Sequence, residues 1–409
     1  MDDLLAARVQ MEVSLAFHMI FAAIGIGMPL LMIISEGLWM RTGNHTYLDL
    51  AKKWSKVTGL LFAIGAVSGT ALSFELGLLW PTFMEFAGGI IGAAFALEGY
   101  AFFIEAIFLG LYLYGWNRLS PLAHWLCGLV VAVSGALFNP GWAVFATHST
   151  LACYVATSFA VAAVYAFAML KGQRDEYHNK AIKMAMVVGA ITAFLQPLSG
   201  DLNARFTTQH QPSKLAAMEG IFETQRGAPL TILGWPDLEE RRLKYGIEIP
   251  KGLSLLAKHD PNAEIKGLND IPREDWPNVY VVRNAFQIMV GLGFTLIGIS
   301  VWYWASRRWR RLDNRLLLIA LVASGFMGFT ALEAGWFVTE VGRQPWVIYG
   351  VMRTEDAVTP APGTANVLYG FSLLYLLLSA TLVWLLLRLR HRGPAAYDQP
   401  PEGGRVVTT

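Results

Sequence analysis

The sequence predicts an all-α integral membrane protein, a bundle of about nine transmembrane helices. Three observations point there: long apolar runs recur along the chain, charge is scarce, and the positive charges collect in alternate loops. Of the 409 residues, 55% are hydrophobic and only 15% charged, whereas a soluble domain carries about 25% charged residues. Mean hydropathy is +0.43. A water-soluble chain of this length has too little interior to hide so much apolar side chain. The net charge of +2 carries no information as a total, and no nucleic-acid partner is expected.

The apolar runs fall at Val9–Trp39, Gly59–Trp80, Ile90–Trp116, Leu122–Phe138, Ala143–Leu170, Ile182–Leu198, Phe286–Trp304, Leu316–Val338 and Leu368–Leu387. Each reads as a helix, because lipid requires every backbone N–H and C=O to be satisfied within its own segment. The runs come near the roughly 20 residues that cross a bilayer, the fourth being short. The first run opens on Asp2 and Asp3 and is too long for the core of a cleavable signal. Between the first and second runs lie Arg41, Lys52, Lys53 and Lys56, and Arg118 lies between the third and fourth. Lys171, Arg174, Lys180 and Lys183 surround the fifth-to-sixth connection. Arg307, Arg308, Arg310, Arg311 and Arg315 fill the seventh-to-eighth, and Arg388, Arg390 and Arg392 follow the ninth. The intervening short loops carry no Lys or Arg. The positive-inside rule therefore predicts an external N-terminus and a cytoplasmic C-terminus, and the alternation supports nine spans. The chain divides into membrane helices one to six (1–199), a polar external loop rich in Pro and Gly (200–281), helices seven to nine (282–390) and a tail of disordered composition (391–409). Cys127 and Cys153, each in an apolar run, match no metal or haem-attachment spacing and read as packing residues.

A charge at mid-bilayer costs at least about 2.5–3.5 kcal/mol, so each ionisable group inside a span needs a reason. His18 lies about three turns into the first run. Glu98 and Glu105 lie seven residues apart in the third and share a face. His148 is early in the fifth, Glu333 is in the eighth, and Glu75 sits near the end of the second, where water would solvate it. With the predicted orientation, His18, Glu98, His148, Met289 and Glu333 all lie within two to three turns of the external end of their helices. Glu105 lies deeper. A lone His or Met in such a helix is ordinarily a packing residue; five candidate ligands at one depth are not. His and Met form the axial pair of low-spin, electron-transferring haems, which suits His148 and Met289, and a carboxylate or single His leaves a coordination position open. An ion or solute transporter also places Glu and His in its helices, but at the midplane and with inverted repeats, and no repeat is evident in this chain.

Several stretches resemble subunit I of the cytochrome bd quinol oxidases, over about residues 8–357. They are Arg8-Val-Gln10 with His18, Ala96-Leu-Glu-Gly-Tyr-Ala-Phe-Phe-Ile-Glu-Ala106, His148-Ser-Thr-Leu-Ala-Cys-Tyr154, Lys214-Leu-Ala-Ala-Met-Glu219 with Glu223-Thr224, Phe286-Gln-Ile-Met289, and Glu333-Ala-Gly-Trp-Phe-Val338 leading to Gly342-Arg-Gln-Pro-Trp346. The resemblance implies a membrane quinol:oxygen oxidoreductase that reduces oxygen to water and generates a proton motive force. It further implies three haems between helices near the outer face: a low-spin haem b on His148 and Met289, and a high-spin haem b and a haem d served by His18 and Glu333 in an order left open. Glu98 is then expected at the di-haem site, Glu105 on the proton path, Arg343 against a haem, and Lys214 and Glu219 at the quinol in the short form of the family's quinol loop. Without the resemblance, those two loop charges read as ordinary solvated groups. Expected partners are subunit II of the oxidase, small single-helix accessory subunits, quinol, O2 and lipid, in a bacterial or archaeal cell membrane. The alternative is a haem quinol oxidoreductase of the same scaffold without haem d or oxygen reduction. Three departures stand out. Ser134-Gly135 runs almost directly into Ala-Leu-Phe-Asn-Pro-Gly-Trp142, so about half a helix and a loop are missing against the family pattern. Gln287 stands where some relatives have Arg, and the chain stops soon after the ninth run.

Overall fold

The computed structural model describes residues 2–137, 143–309 and 314–391; within these, the side chains of residues 90, 94, 98, 135–137, 143, 390 and 391 are not described. The helices in chain order are α1 (Asp3–Thr42), α2 (His45–Leu79), α3 (Pro81–Tyr114), α4 (Pro121–Leu137), α5 (Ala143–Leu170), α6 (Glu176–His210), α7 (Pro212–Glu219), α8 (Gly252–Lys258), α9 (Val279–Arg308), α10 (Arg315–Val341), α11 (Thr354–Ala357) and α12 (Thr364–His391). Eight of them have the length and composition to cross a membrane. With the 17-residue α4, which rises about 25 Å, the nine runs read from the sequence all become helices. The expected junction at Ser134–Trp142 falls largely outside the described residues, as does the tail after His391.

Local chemistry places the helix ends. Asn44, Asp175, Asn278 and Asn314 cap α2, α6, α9 and α10 by accepting from backbone N–H groups of the first turn. Pro81 opens α3 where its missing N–H costs nothing. α1 to α4 pack as one group, α5, α6, α9 and α10 as a second, and α12 lies against α1 and α2. Small residues bring the helices close where they cross. A Cβ on Gly328 would lie 2.9 Å from the Ala156 Cα, and one on Gly325 2.7 Å from the Ala163 Cβ, so α10 beds directly on α5. Gly27 of α1 leaves room for Thr157 of α5, whose hydroxyl donates to the Ala23 carbonyl (3.0 Å) and joins the two groups.

The apolar run of the sixth span stops at Leu198, but α6 continues unbroken to His210. The run length measures lipid thickness, not helix length. Residues 211–278 then form a folded cap on one face of the bundle, the loop face. It contains α7, the hairpin β2 (Leu230–Asp237) and β3 (Arg242–Ile249), α8, a pairing of β1 (Gln225–Arg226) with β4 (Glu264–Ile265), and two 3-10 turns. A second short hairpin, β5 (Trp346–Ile348) with β6 (Met352–Arg353), closes the same face beyond α10.

Candidate functional site

Two histidines enter the helix interfaces in the same way. His18 of α1 places Nδ1 2.9 Å from Ser68 Oγ of α2, and that hydroxyl donates to the Gly65 carbonyl (3.0 Å). His148 of α5 places Nδ1 2.8 Å from Ser199 Oγ of α6, and that hydroxyl donates to the Gln196 carbonyl (2.9 Å). Gln196 also donates to the His148 carbonyl, with its Nε2 3.2 Å from His148 Nε2. Met289 of α9 lays its sulfur over Gly335 of α10, where a Cβ would come within 2.8 Å of it.

Glu333 lies two residues deeper on α10 than Gly335, where both carboxylate oxygens are buried with no hydrogen-bond partner among the described residues. It lines an apolar groove of about 470 Å³ between α9 and α10, with Tyr280, Asn284, Ile288, Thr330 and Phe337. An unpartnered carboxylate in such a place is costly unless a cation or metal takes it up. Among the described residues no three His, Cys, Asp or Glu gather as a bare metal centre. A haem iron, which brings four nitrogen ligands of its own, needs only single axial donors. The donors present therefore fit haem.

Glu105 of α3 faces Gly25 of α1, 4.0 Å from the position of a Cβ there. Gly25 is seven residues beyond His18, so Glu105 lies about 10 Å further from the loop face than His18. Glu98 lies seven residues, about 10 Å of rise, nearer the loop face on α3, and its side chain lies outside the described ones.

The cap places both of its predicted charges over the bundle. Lys214 and Glu219, expected to be solvated on the residues alone, are each only 5% exposed. Lys214 Nζ reaches the Thr339 carbonyl near the end of α10 (3.4 Å), where helix carbonyls attract a cation. Burial lowers its pKa to about 8. Glu219 lies 3.5 Å from Arg283 in the first turn of α9, and burial raises its carboxyl to about 7 despite that cation. Arg283, with no exposed surface, also donates to the carbonyls of Met218, Thr231 and Leu233, tying α7 and β2 to α9. It lies six residues, about 9 Å of rise, above Met289. Sequence reasoning missed it, although a lone Arg in the first turn of an apolar helix was a signal.

Arg343 pairs with Glu340, and its Nε is buried with no partner among the described residues. Glu75, expected in water, is fully buried: Gln10 donates to it (2.8 Å) and so does Tyr375 of α12 (3.2 Å). α12 covers that end of α2, which a count along one helix does not reveal. A further buried pair, His124 Nδ1 with Glu36 Oε1 (2.7 Å), lies at the opposite end of α1, its imidazole between the Tyr112 and Trp116 rings. Cys127 and Cys153 are buried free thiols, as read.

Among the described residues, eight membrane-length helices and the shorter α4 carry single His, Met and carboxylate side chains beneath a folded cap, the make-up of a haem-carrying membrane oxidoreductase. The chain belongs to the family described as cytochrome bd terminal oxidase subunit I, whose model matches residues 6–137 and 133–394. The two matched pieces overlap at residues 133–137. The chain is 34% identical to a Bacillus subtilis protein provisionally named cytochrome bd menaquinol oxidase subunit I, over 97% of this chain and 99% of that one. It is 30% identical to the B. subtilis cytochrome bd ubiquinol oxidase subunit 1, over 96% and 94%. The structure of bd oxidase from Geobacillus thermodenitrificans superposes with a TM-score of 0.91 at 35% identity, covering 96% of this chain and 99% of that chain.

Proposed function

We propose that the chain is the haem-bearing subunit of a membrane quinol:oxygen oxidoreductase, with quinol oxidised at the loop face and that face outside the cell. On this reading the N-terminus is external and the C-terminus cytoplasmic, residues 200–281 act as the quinol loop between membrane segments 1–199 and 282–390, and the tail 391–409 is cytoplasmic. Subunit II of the oxidase is the partner, with small single-helix subunits as further ones. The host membrane is bacterial or archaeal. The relatives' names include both menaquinol and ubiquinol, so the substrate is assigned as quinol.

The observation that carries the reading is the seating of Lys214 and Glu219, two buried charges of opposite sign, directly over the helix ends that bear Met289 and Glu333. Quinol oxidation releases two electrons and two protons. Glu219, with its carboxyl near 7, is suited to accept one of those protons, and Lys214 to stabilise negative charge on the quinol oxygen. Arg283 holds α7 in place so that both groups stay at the site. His148 and Met289 would hold a low-spin haem b. His18 and Glu333 would each hold one of a high-spin haem b and a haem d, with Glu98 beside that pair and Arg343 against a haem's acidic edge. When bound, haem supplies the iron centres that carry electrons and reduce oxygen. Two quinols per O2 provide the four electrons and, with protons taken from the cytoplasm, yield two waters. Glu105, the carboxyl on the far side of His18 from the loop face, would pass those protons from the cytoplasmic side toward the haem sites.

The test is a reduced-minus-oxidised spectrum with a pyridine haemochrome assay on the purified two-subunit protein. The expected result is protohaem together with a red-shifted chlorin band. Protein without iron overturns the reading; protohaem without the chlorin band leaves the same scaffold without haem d.

A further inference from the structure

The two histidine mounts match in more than the hydrogen bond. In each, the serine is buried, its hydroxyl proton goes to the carbonyl three residues earlier, and the next residue is glycine. A Cβ on Gly69 would meet His18 Cε1 at 2.9 Å, and one on Gly200 would meet His148 Cε1 at 3.4 Å. Each glycine gives the ring its room. The His-to-Ser separations are 50 and 51 residues, and in both cases the histidine lies on the first and the serine on the second helix of its group.

The serine-to-carbonyl hydrogen bonds favour one tautomer. A serine hydroxyl has a single proton, and here a helix carbonyl takes it. With that proton donated to the carbonyl, Oγ accepts and Nδ1 donates. A neutral imidazole with its proton on Nδ1 has its only free lone pair on Nε2, the atom a metal takes. On the α5/α6 side the Gln196 amide nitrogen lies 3.2 Å from His148 Nε2 and 3.4 Å from Nδ1, so the serine and not Gln196 sets the tautomer.

We propose that Ser68 and Ser199 are a matched pair of positioning residues, holding the imidazoles of His18 and His148 in the Nδ1–H form and turning each Nε2 toward a haem iron. The proposal rests on the reading that both histidines are axial ligands. A hydrogen bond from Nδ1–H makes an imidazole the more basic ligand, which favours ferric iron. Removing the acceptor therefore raises the reduction potential of that haem and leaves the other site unmoved.

The experiment is a spectroelectrochemical titration with electron paramagnetic resonance on the assembled two-subunit protein. Ser199→Ala is expected to raise the midpoint of the low-spin haem and alter its g-values at unchanged haem content, leaving the high-spin bands alone. Ser68→Ala is expected to shift one high-spin species only, and Ser199→Thr, which keeps the hydroxyl, to restore the wild-type midpoint. Wild-type midpoint and g-values in Ser199→Ala overturn the proposal, as do equal shifts in the Ala and Thr variants. Should Ser199→Ala fail to assemble, Ser199→Cys against Ser199→Thr decides: the weaker acceptor shifts the midpoint and the hydroxyl does not, and equal midpoints overturn it. A His148→Ala protein that keeps its low-spin haem overturns it at the ligand instead of at the mount.

Discussion

In α1/α2, His18 rests on Ser68 with Gly65 one turn behind the serine; in α5/α6, His148 rests on Ser199 with Gln196 in the corresponding place. Gly65 leaves space that Phe21 fills, its Cβ 3.2 Å from the position of a Cβ there. Gln196 instead reaches across and holds His148 by its backbone carbonyl. The second difference lies in the neighbouring helices. The group containing His148 also contains α9 and α10, with Met289 packed over Gly335 and Glu333 on α10, whereas α3, in the group containing His18, carries the carboxyls Glu98 and Glu105. A common mount sets the histidine. On the proposed reading, what the neighbouring helices supply would decide whether a haem held there gains a second strong ligand, as electron transfer needs, or keeps a place for a gas.

The largest expected effects break this contrast outright. His148→Ala and Met289→Leu are each expected to abolish the low-spin haem signal while carbon monoxide still binds at the other haems; absorbance difference spectra of the reduced protein check both. Gly335→Ala should act on the same side less completely. Its new Cβ would sit 2.8 Å from the sulfur, so the low-spin fraction drops without vanishing, and an unchanged spectrum would show that the sulfur has room to spare.

Above the bundle, Glu219→Gln is expected to slow quinol oxidation on the order of 100-fold, the lower range for loss of a general base, at intact haem content; full turnover at saturating quinol would remove Glu219 from the site. The pH dependence sharpens the point. Burial raises Glu219 to about 7 and lowers Lys214 to about 8. Below the first value the carboxyl is protonated and cannot accept, and above the second the lysine has lost its charge. Quinol oxidation should peak between the two and lose its acidic limb in Glu219→Gln, as steady-state rates across pH would show.

The membrane helices were legible as apolar runs, and His18, His148 and Glu333 could be singled out because each is out of keeping with its apolar run, whereas Met289 stood out only by its depth beside them and by the resemblance. The cap was not. Lys214 and Glu219 are unremarkable charges in a polar stretch, and only the folding of α7 onto Arg283 buries them. Ser68 and Ser199 were invisible for the opposite reason. Serine and glycine are common at membrane helix crossings, so nothing marks those that touch a histidine. Glu75 misled because depth along α2 says nothing of α12 lying across it, and Glu36 with His124 showed only once α1 and α4 were packed together.

The claim on which the rest depends is that His148 and Met289, from α5 and α9, hold one iron. Near-infrared magnetic circular dichroism of the oxidised protein tests it most directly, because His–Met and bis-His ligation place their charge-transfer bands apart. A His–Met band that disappears in Met289→Leu is the expected result. A bis-His band, or a His–Met band that survives the substitution, would contradict it.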